Sequence, residues 1–330
     1  MKKNLSIENS SVVKFVKILG IMLVGLLIAG CGDSSSGGGS SSGSSGTQFK
    51  GGIDSLTLTL EPDAPPEIVY DSALSPFDIV IRLDNDGEAD IPANSLRVAL
   101  EGFDSQNWGD VQSNLVIAEE LRGFDSIFNI EGDFEYASFE NIEFQQELVQ
   151  NTYTHNFIVK ACYPYSTKVT FTACVDEDAK RSSRDDDLKL CEGFSERSFS
   201  VSSGPIGVNK IEQQIVNKKL RLIFSIVDRE RENPEVEVYL PNSLNAVCDE
   251  AEGTNIQNED AVLVSLNDPI LGEFECNGGK RVAFTSTNEV RVTCEVDITN
   301  VPNQELPLAL SVDYEMLKAF RDSLIVERSE

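Results

Sequence analysis

The chain has 330 residues, with 55 acidic against 27 basic side chains, a formal net charge of −28 and 40% hydrophobic residues. Such a charge repels nucleic acid and anionic headgroups, while the apolar fraction is ample for a buried core. It suits solubility in salty surroundings, divalent-cation binding or attraction to basic partners.

Met1-Lys2-Lys3, with Lys14 and Lys17, forms a cationic leader, and Ile18 to Ala29 form a twelve-residue apolar run. That run is long enough for a signal core but short of the roughly 20 residues that span a bilayer as a helix. It ends in Ile28-Ala29-Gly30-Cys31, which resembles a bacterial-type lipoprotein signal. The resemblance implies removal of residues 1–30 and acylation of Cys31, which places the chain on the extracytoplasmic face of the cell membrane. The alternative is a retained signal anchor in which Val12 and Val13 extend the apolar run. Lys14 and Lys17 would then lie in or near the hydrocarbon, which costs energy. Residues 1–30 hold four lysines and one glutamate, so the remainder carries 23 basic and 54 acidic side chains, a net −31.

Residues 31–50 read as a lipidated cysteine and a tether, because Ser34 to Gly46 is thirteen residues of serine and glycine only. Without apolar side chains such a segment cannot offset its conformational entropy. Its r.m.s. reach is about 20 Å.

Beyond the tether the dominant period is two, the signal of half-buried strands. Leu56, Leu58 and Leu60 form one stripe, and Phe77, Ile79, Ile81 and Leu83 another, closed by a turn at Asp84-Asn85-Asp86-Gly87. Leu96, Val98 and Leu100 follow, then Val169, Phe171, Ala173 and Val175. A short helix is expected around Asn114 to Leu121. The turn-rich Val201-Ser202-Ser203-Gly204-Pro205 marks a break. After it come stripes at Leu220 to Ile226, Val236 to Leu240, Val290 to Val296 and Leu306 to Tyr314, with helical spacing only at Met316 to Phe320. The fold class is all-β: two β-sandwich domains, residues 51–203 and 204–330, each built from antiparallel sheets.

Six cysteines remain beside Cys31, and an even count outside the cytoplasm reads as disulfides. Neighbouring strands favour Cys174 with Cys191 and Cys276 with Cys294, each loop worth about 3 kcal/mol in the chain-entropy model. Three cysteines fall on each side of the break, so Cys162 and Cys248 either pair across it or stay free. The chain lacks the Cys-x-x-Cys pair of a zinc site and has one histidine.

That histidine, His155, is expected to face solvent from a strand, and no catalytic constellation or cofactor is expected around it. Asp84, Asp86 and Glu88 have the alternating oxygens of a calcium loop but lack its closing glutamate, and a tight turn explains them more simply. Asp176-Glu177-Asp178, Asp185-Asp186-Asp187 and Asp249-Glu250 with Glu252 read as solvated acidic loops. No Asn-x-Ser/Thr sequon follows Cys31.

The segment Phe77 to Ile91 resembles the hairpin of the immunoglobulin-like, adhesion-related modules known as CARDB, and Leu220 to Val238 is a looser echo. The two-domain lipoprotein plan, with Cys162-Tyr163-Pro164-Tyr165 near the end of the first unit, is similar to envelope lipoproteins of archaea. This resemblance implies immunoglobulin-like modules at the cell surface. Two functions follow: a membrane-tethered binding or adhesion protein with a protein or glycan partner and no catalytic activity, or a structural envelope component packing in a surface layer or membrane complex. An exposed aromatic patch at Trp108, Tyr163 and Tyr165 would favour the first, and a long bare edge strand or apolar face the second.

Overall fold

A computed structural model describes residues 48–176, 194–243, 248, 259–277 and 279–329. Cys31, Cys191 and the acidic residues 177–178, 185–187, 249–250 and 252 lie outside them. Among the described residues the chain forms eighteen strands and one helical turn. The first half supplies β1 (Leu56–Leu60), β2 (Ile68–Tyr70), β3 (Phe77–Asn85), β4 (Leu96–Glu101), α1 (Ser105–Trp108), β5 (Asn114–Ile117), β6 (Phe134–Ile142) and β7 (Thr152–Val175). Then follow β8 (Phe194–Glu196), β9 (Phe199–Val201), β10 (Ile206–Val216), β11 (Lys219–Asp228), β12 (Val236–Tyr239) and β13 (Ala261–Asp268). The chain closes with β14 (Gly272–Glu273), β15 (Glu275–Cys276), β16 (Arg281–Ala283), β17 (Glu289–Asp297) and β18 (Gln304–Glu327).

The spine is an antiparallel ribbon of β7 and β18, each 24 residues long and paired from Thr152↔Glu327 to Val175↔Gln304. At the rise of a strand this is roughly 80 Å of backbone. Phe157, Val159, Ala161, Tyr163, Tyr165, Val169, Phe171, Ala173 and Val175 are all buried, so one face of β7 is apolar nearly throughout. Period two on one strand thus keeps a continuous apolar face along one side of the ribbon.

The ribbon is the centre of a ten-stranded sheet, flanked by β4 and β5 on one side and β13 and β14 on the other. A three-stranded sheet, β1-β3-β6, covers the first part of the ribbon, and a five-stranded sheet, β15-β17-β11-β10-β8, covers the second. Tyr163 Oη accepts from Leu56 N at 3.3 Å under the first cover. Under the second, Phe171 meets Phe224 edge-on at 5.7 Å. The buried Gln213 side chain there acts as a strand partner, accepting from Cys174 N at 2.9 Å and donating to Cys174 O at 2.8 Å. The fold is therefore all-β with antiparallel sheets facing each other. The break expected at Gly204 lies between β9 and β10, and strands from both sides of it share the ten-stranded sheet and one apolar core.

Local expectations need four corrections. Residues 84–87 do not close a hairpin: β3 pairs with β1 and β6, whereas β4 pairs with β5 and β7, so the turn is a corner between sheets. The echo at Leu220 to Val238 is also a crossover, since β12 pairs with β18. The real hairpin there joins β10 to β11 through Asn217 and Lys218, both at positive φ (51° and 62°), the backbone of a two-residue turn. Asn114 to Ile117 is an edge strand rather than a helix, and the helical turn lies earlier, capped by the Asp104 carboxylate on Gln106 N and Asn107 N at 3.0 and 2.9 Å. Met316 to Phe320 continues β18. Met316 faces the core while Leu317 is covered on the opposite face by Tyr239 and the Cys162–Cys248 bridge, and two covered faces erase the period-two signal.

The structure pairs Cys162 with Cys248 and Cys276 with Cys294. The first bridge packs Cys248 against Tyr239 and Leu317 on the outer face of the ribbon and spans the expected break. Cys174 is disulfide-bonded as well.

Candidate functional site

The aromatic side chains whose exposure would favour a recognition role are core. Trp108, Tyr163 and Tyr165 are buried, and the last two sit under the first cover sheet with Tyr314. Burial pushes Tyr165 up to about 12. His155 is also buried, against expectation, 4.6 Å from the Trp108 ring and 4.7 Å from Phe103. It points inward because its strand neighbours alternate with it in β7 and Phe157 follows on the same face. Its Nε2 has no partner among the described residues.

Desolvation lowers the His155 pKa, opposed by the Asp104 carboxylate. The unfolded chain therefore binds the proton more readily than the folded one, so His155 contributes stability that is complete above about pH 6.5 and lost as pH falls below it. Acid titration of thermal unfolding should show this loss in the wild type and a smaller one in His155→Phe. Identical acid slopes would contradict it.

The three carboxylates with calcium-loop spacing, Asp84, Asp86 and Glu88, are separated by their work. Asp84 bonds Arg82 Nε at 2.9 Å, Asp86 faces solvent, and Glu88 is a backbone clamp. Glu88 accepts from Lys50 N at 2.7 Å, Gly51 N at 3.0 Å and Ser203 N at 2.7 Å, while its own N–H donates to Ser203 Oγ at 2.8 Å. One side chain thus knots the incoming chain, the 84–87 corner and the link between β9 and β10. Gly87 beside it admits no side chain, since a Cβ there would lie 1.8 Å from Tyr165 Oη. Among the described residues no three His, Cys, Asp or Glu side chains are grouped to hold a metal ion.

Two clefts open on this side. A small one of about 160 Å³ holds Lys318, whose ammonium donates to Leu56 O at 2.9 Å and whose pKa is lowered by burial. A larger one of about 410 Å³, within the range of ligand sites, is walled by Phe49, Phe124 and Ile130 and rimmed by Asp90, Arg122 and Asp133. Arg122 is engaged by Asp133 at 2.9 Å. Above this cleft stands a loop tip with Ile127, Phe128 and Ile130 in solvent, and Phe134 and Tyr136 lie exposed on the next strand. This apolar and acidic corner is the candidate interaction site. Sequence reading passed over it because its apolar residues follow neither helical nor strand spacing. The usable signal was the bracketing of Ile-Phe-Asn-Ile between Asp125 and Glu131.

No protein-family model and no curated protein matches the chain. Among solved structures, a serine-rich repeat adhesion glycoprotein of Streptococcus agalactiae aligns over 86% of this chain and 99% of its own at 8% identity, with a TM-score of 0.16. At that score the likeness carries no argument about fold or function.

Proposed function

We propose that the chain is a lipid-anchored cell-surface binding or adhesion protein, built as a stiff scaffold rather than as a catalyst. The Cys162–Cys248 bridge carries the reading. A disulfide of this kind belongs to an oxidising compartment. It also braces the outer face of the long ribbon that joins both cover sheets, which suits a body that presents a surface at the end of a tether. The signal-like leader and Cys31 supply the attachment. The one histidine, on which a Ser/His or Cys/His centre would be built, is enclosed by aromatic rings. The partner is a protein or glycan of the surroundings.

Expression with its own leader, in cells fed a labelled fatty acid, tests the reading. The wild type should take up label, be cleaved by protease added to intact cells, and retain those cells on arrayed glycans or proteins. Cys31→Ser should lose label and retention together. An unlabelled chain inside the cell, or retention no better than with Cys31→Ser, would contradict the proposal.

A further inference from the structure

Ile127 is 69%, Phe128 73% and Ile130 59% exposed, three large apolar side chains within four residues. The tip is firmly built. Asp125 and Ile130 exchange both backbone hydrogen bonds at 2.9 and 3.1 Å, and Asp125 Oδ1 accepts from Ile127 N at 2.9 Å and Phe128 N at 3.0 Å. These side chains are held out in water at a standing cost that burial would recover.

The chain enters the fold at the same place. Ser126 Oγ in the tip donates to Gln48 O at 2.7 Å, and the Lys50 ammonium lies 5.0 Å over the Phe124 ring. Gln48 is seventeen residues from Cys31, a reach of roughly 20 Å on composition. The apolar tip therefore lies beside Gln48, where the described chain begins.

We propose that Ile127, Phe128 and Ile130 form a second membrane contact, entering the interfacial layer of the bilayer in which Cys31 is anchored. This rests on the lipid-anchor reading above. Three side chains alone bind a bilayer weakly, but stable attachment takes two signals, and a short tether makes the second one intramolecular. Asp125, Glu131 and Asp133 beside the tip favour zwitterionic over anionic lipid. Contact at the tether's root fixes the orientation of the whole scaffold instead of leaving it to swing.

The test uses the full chain with Phe128→Trp, expressed with its leader and reconstituted into phosphatidylcholine vesicles carrying bromine on the acyl chains. Trp108, the only tryptophan of the wild type, is 2% exposed and supplies the background. Phe128→Trp emission should shift to the blue and be quenched by bromine, while the wild type changes little. Adding Cys31→Ser should raise the lipid needed for quenching by about 100-fold or more without abolishing it. Vesicle-bound Phe128→Trp protein whose introduced indole stays unquenched overturns the contact and leaves the anchor standing. If the wild type fails to float with vesicles, the anchor reading fails instead. Titration of Phe128→Trp to saturating lipid then decides the contact alone, quenching supporting it and none overturning it. A blue shift that follows protein concentration without lipid assigns the tip to a second copy and overturns the proposal.

Discussion

Replacing Cys162 and Cys248 together by alanine is expected to lower the stability of the folded chain by about 4–5 kcal/mol in the chain-entropy model, given their separation of 86 residues. On a chain of this size that is on the order of a 10 °C fall in melting temperature. The same change at Cys276 and Cys294, only 18 residues apart, should cost about 3 kcal/mol. The order matters more than the values, because it follows from the lengths of chain that each bridge closes. The local effect should differ too. The Cys162 bridge packs Cys248 against Leu317 and Tyr239, so hydrogen exchange should rise at β12 while the β7–β18 ladder stays protected. A larger loss at Cys276–Cys294, measured by denaturant unfolding under non-reducing conditions, would contradict the loop-length account of the two bridges.

Glu88→Ala is expected to cost about 2–4 kcal/mol although the residue sits in a loop. Its carboxylate takes three backbone N–H donors from two distant segments, and their charge-assisted bonds are lost together. Truncation leaves part-buried donors of Gly51 and Ser203 without that acceptor, a loss Glu88→Gln should only partly restore, since an amide offers a single acceptor oxygen. Residues 48–54 and 202–204 should then exchange faster, with β10 and β11 little changed. Equal melting curves for wild type and Glu88→Ala would show that the knot is not a structural joint.

Much of the strand content was legible because it rests on alternation. The stripes at Phe77 to Leu83, Val169 to Val175, Leu220 to Ile226 and Leu306 to Tyr314 are all strands with one buried face. Alternation states which face is buried and not which strand lies alongside, and so Asp84 to Gly87 read as a hairpin when it is a corner between sheets. It also fails where both faces are covered, as at Met316 and Leu317. Residue type misled at the candidate site. Trp108, Tyr163 and Tyr165 are types that often line recognition surfaces, yet here the tyrosine hydroxyls are met by backbone and neighbours in the interior. Glu88 shows the converse, an acidic side chain in an acidic loop whose role depends on two segments far away in sequence. The tip at Ile127 to Ile130 has no period to read, and apart from its acidic brackets only its exposure marks it.

The burial of His155 and the clamp at Glu88 both bear on what the molecule does. Each converts a residue that sequence alone offers to chemistry into a part of the scaffold. Among the described residues the outside carries an apolar and acidic corner beside Gln48 and the outer faces of a long disulfide-braced ribbon. These are the features on which the proposed surface role rests.

The most direct measurement is non-reducing peptide mass spectrometry on protein expressed with its own leader. A peptide of Cys162 linked to one of Cys248, found together with an acylated Cys31 at the new N-terminus, is the result expected of a tethered, braced scaffold outside the cytoplasm. Free thiols at Cys162 and Cys248, or an intact leader, would contradict it.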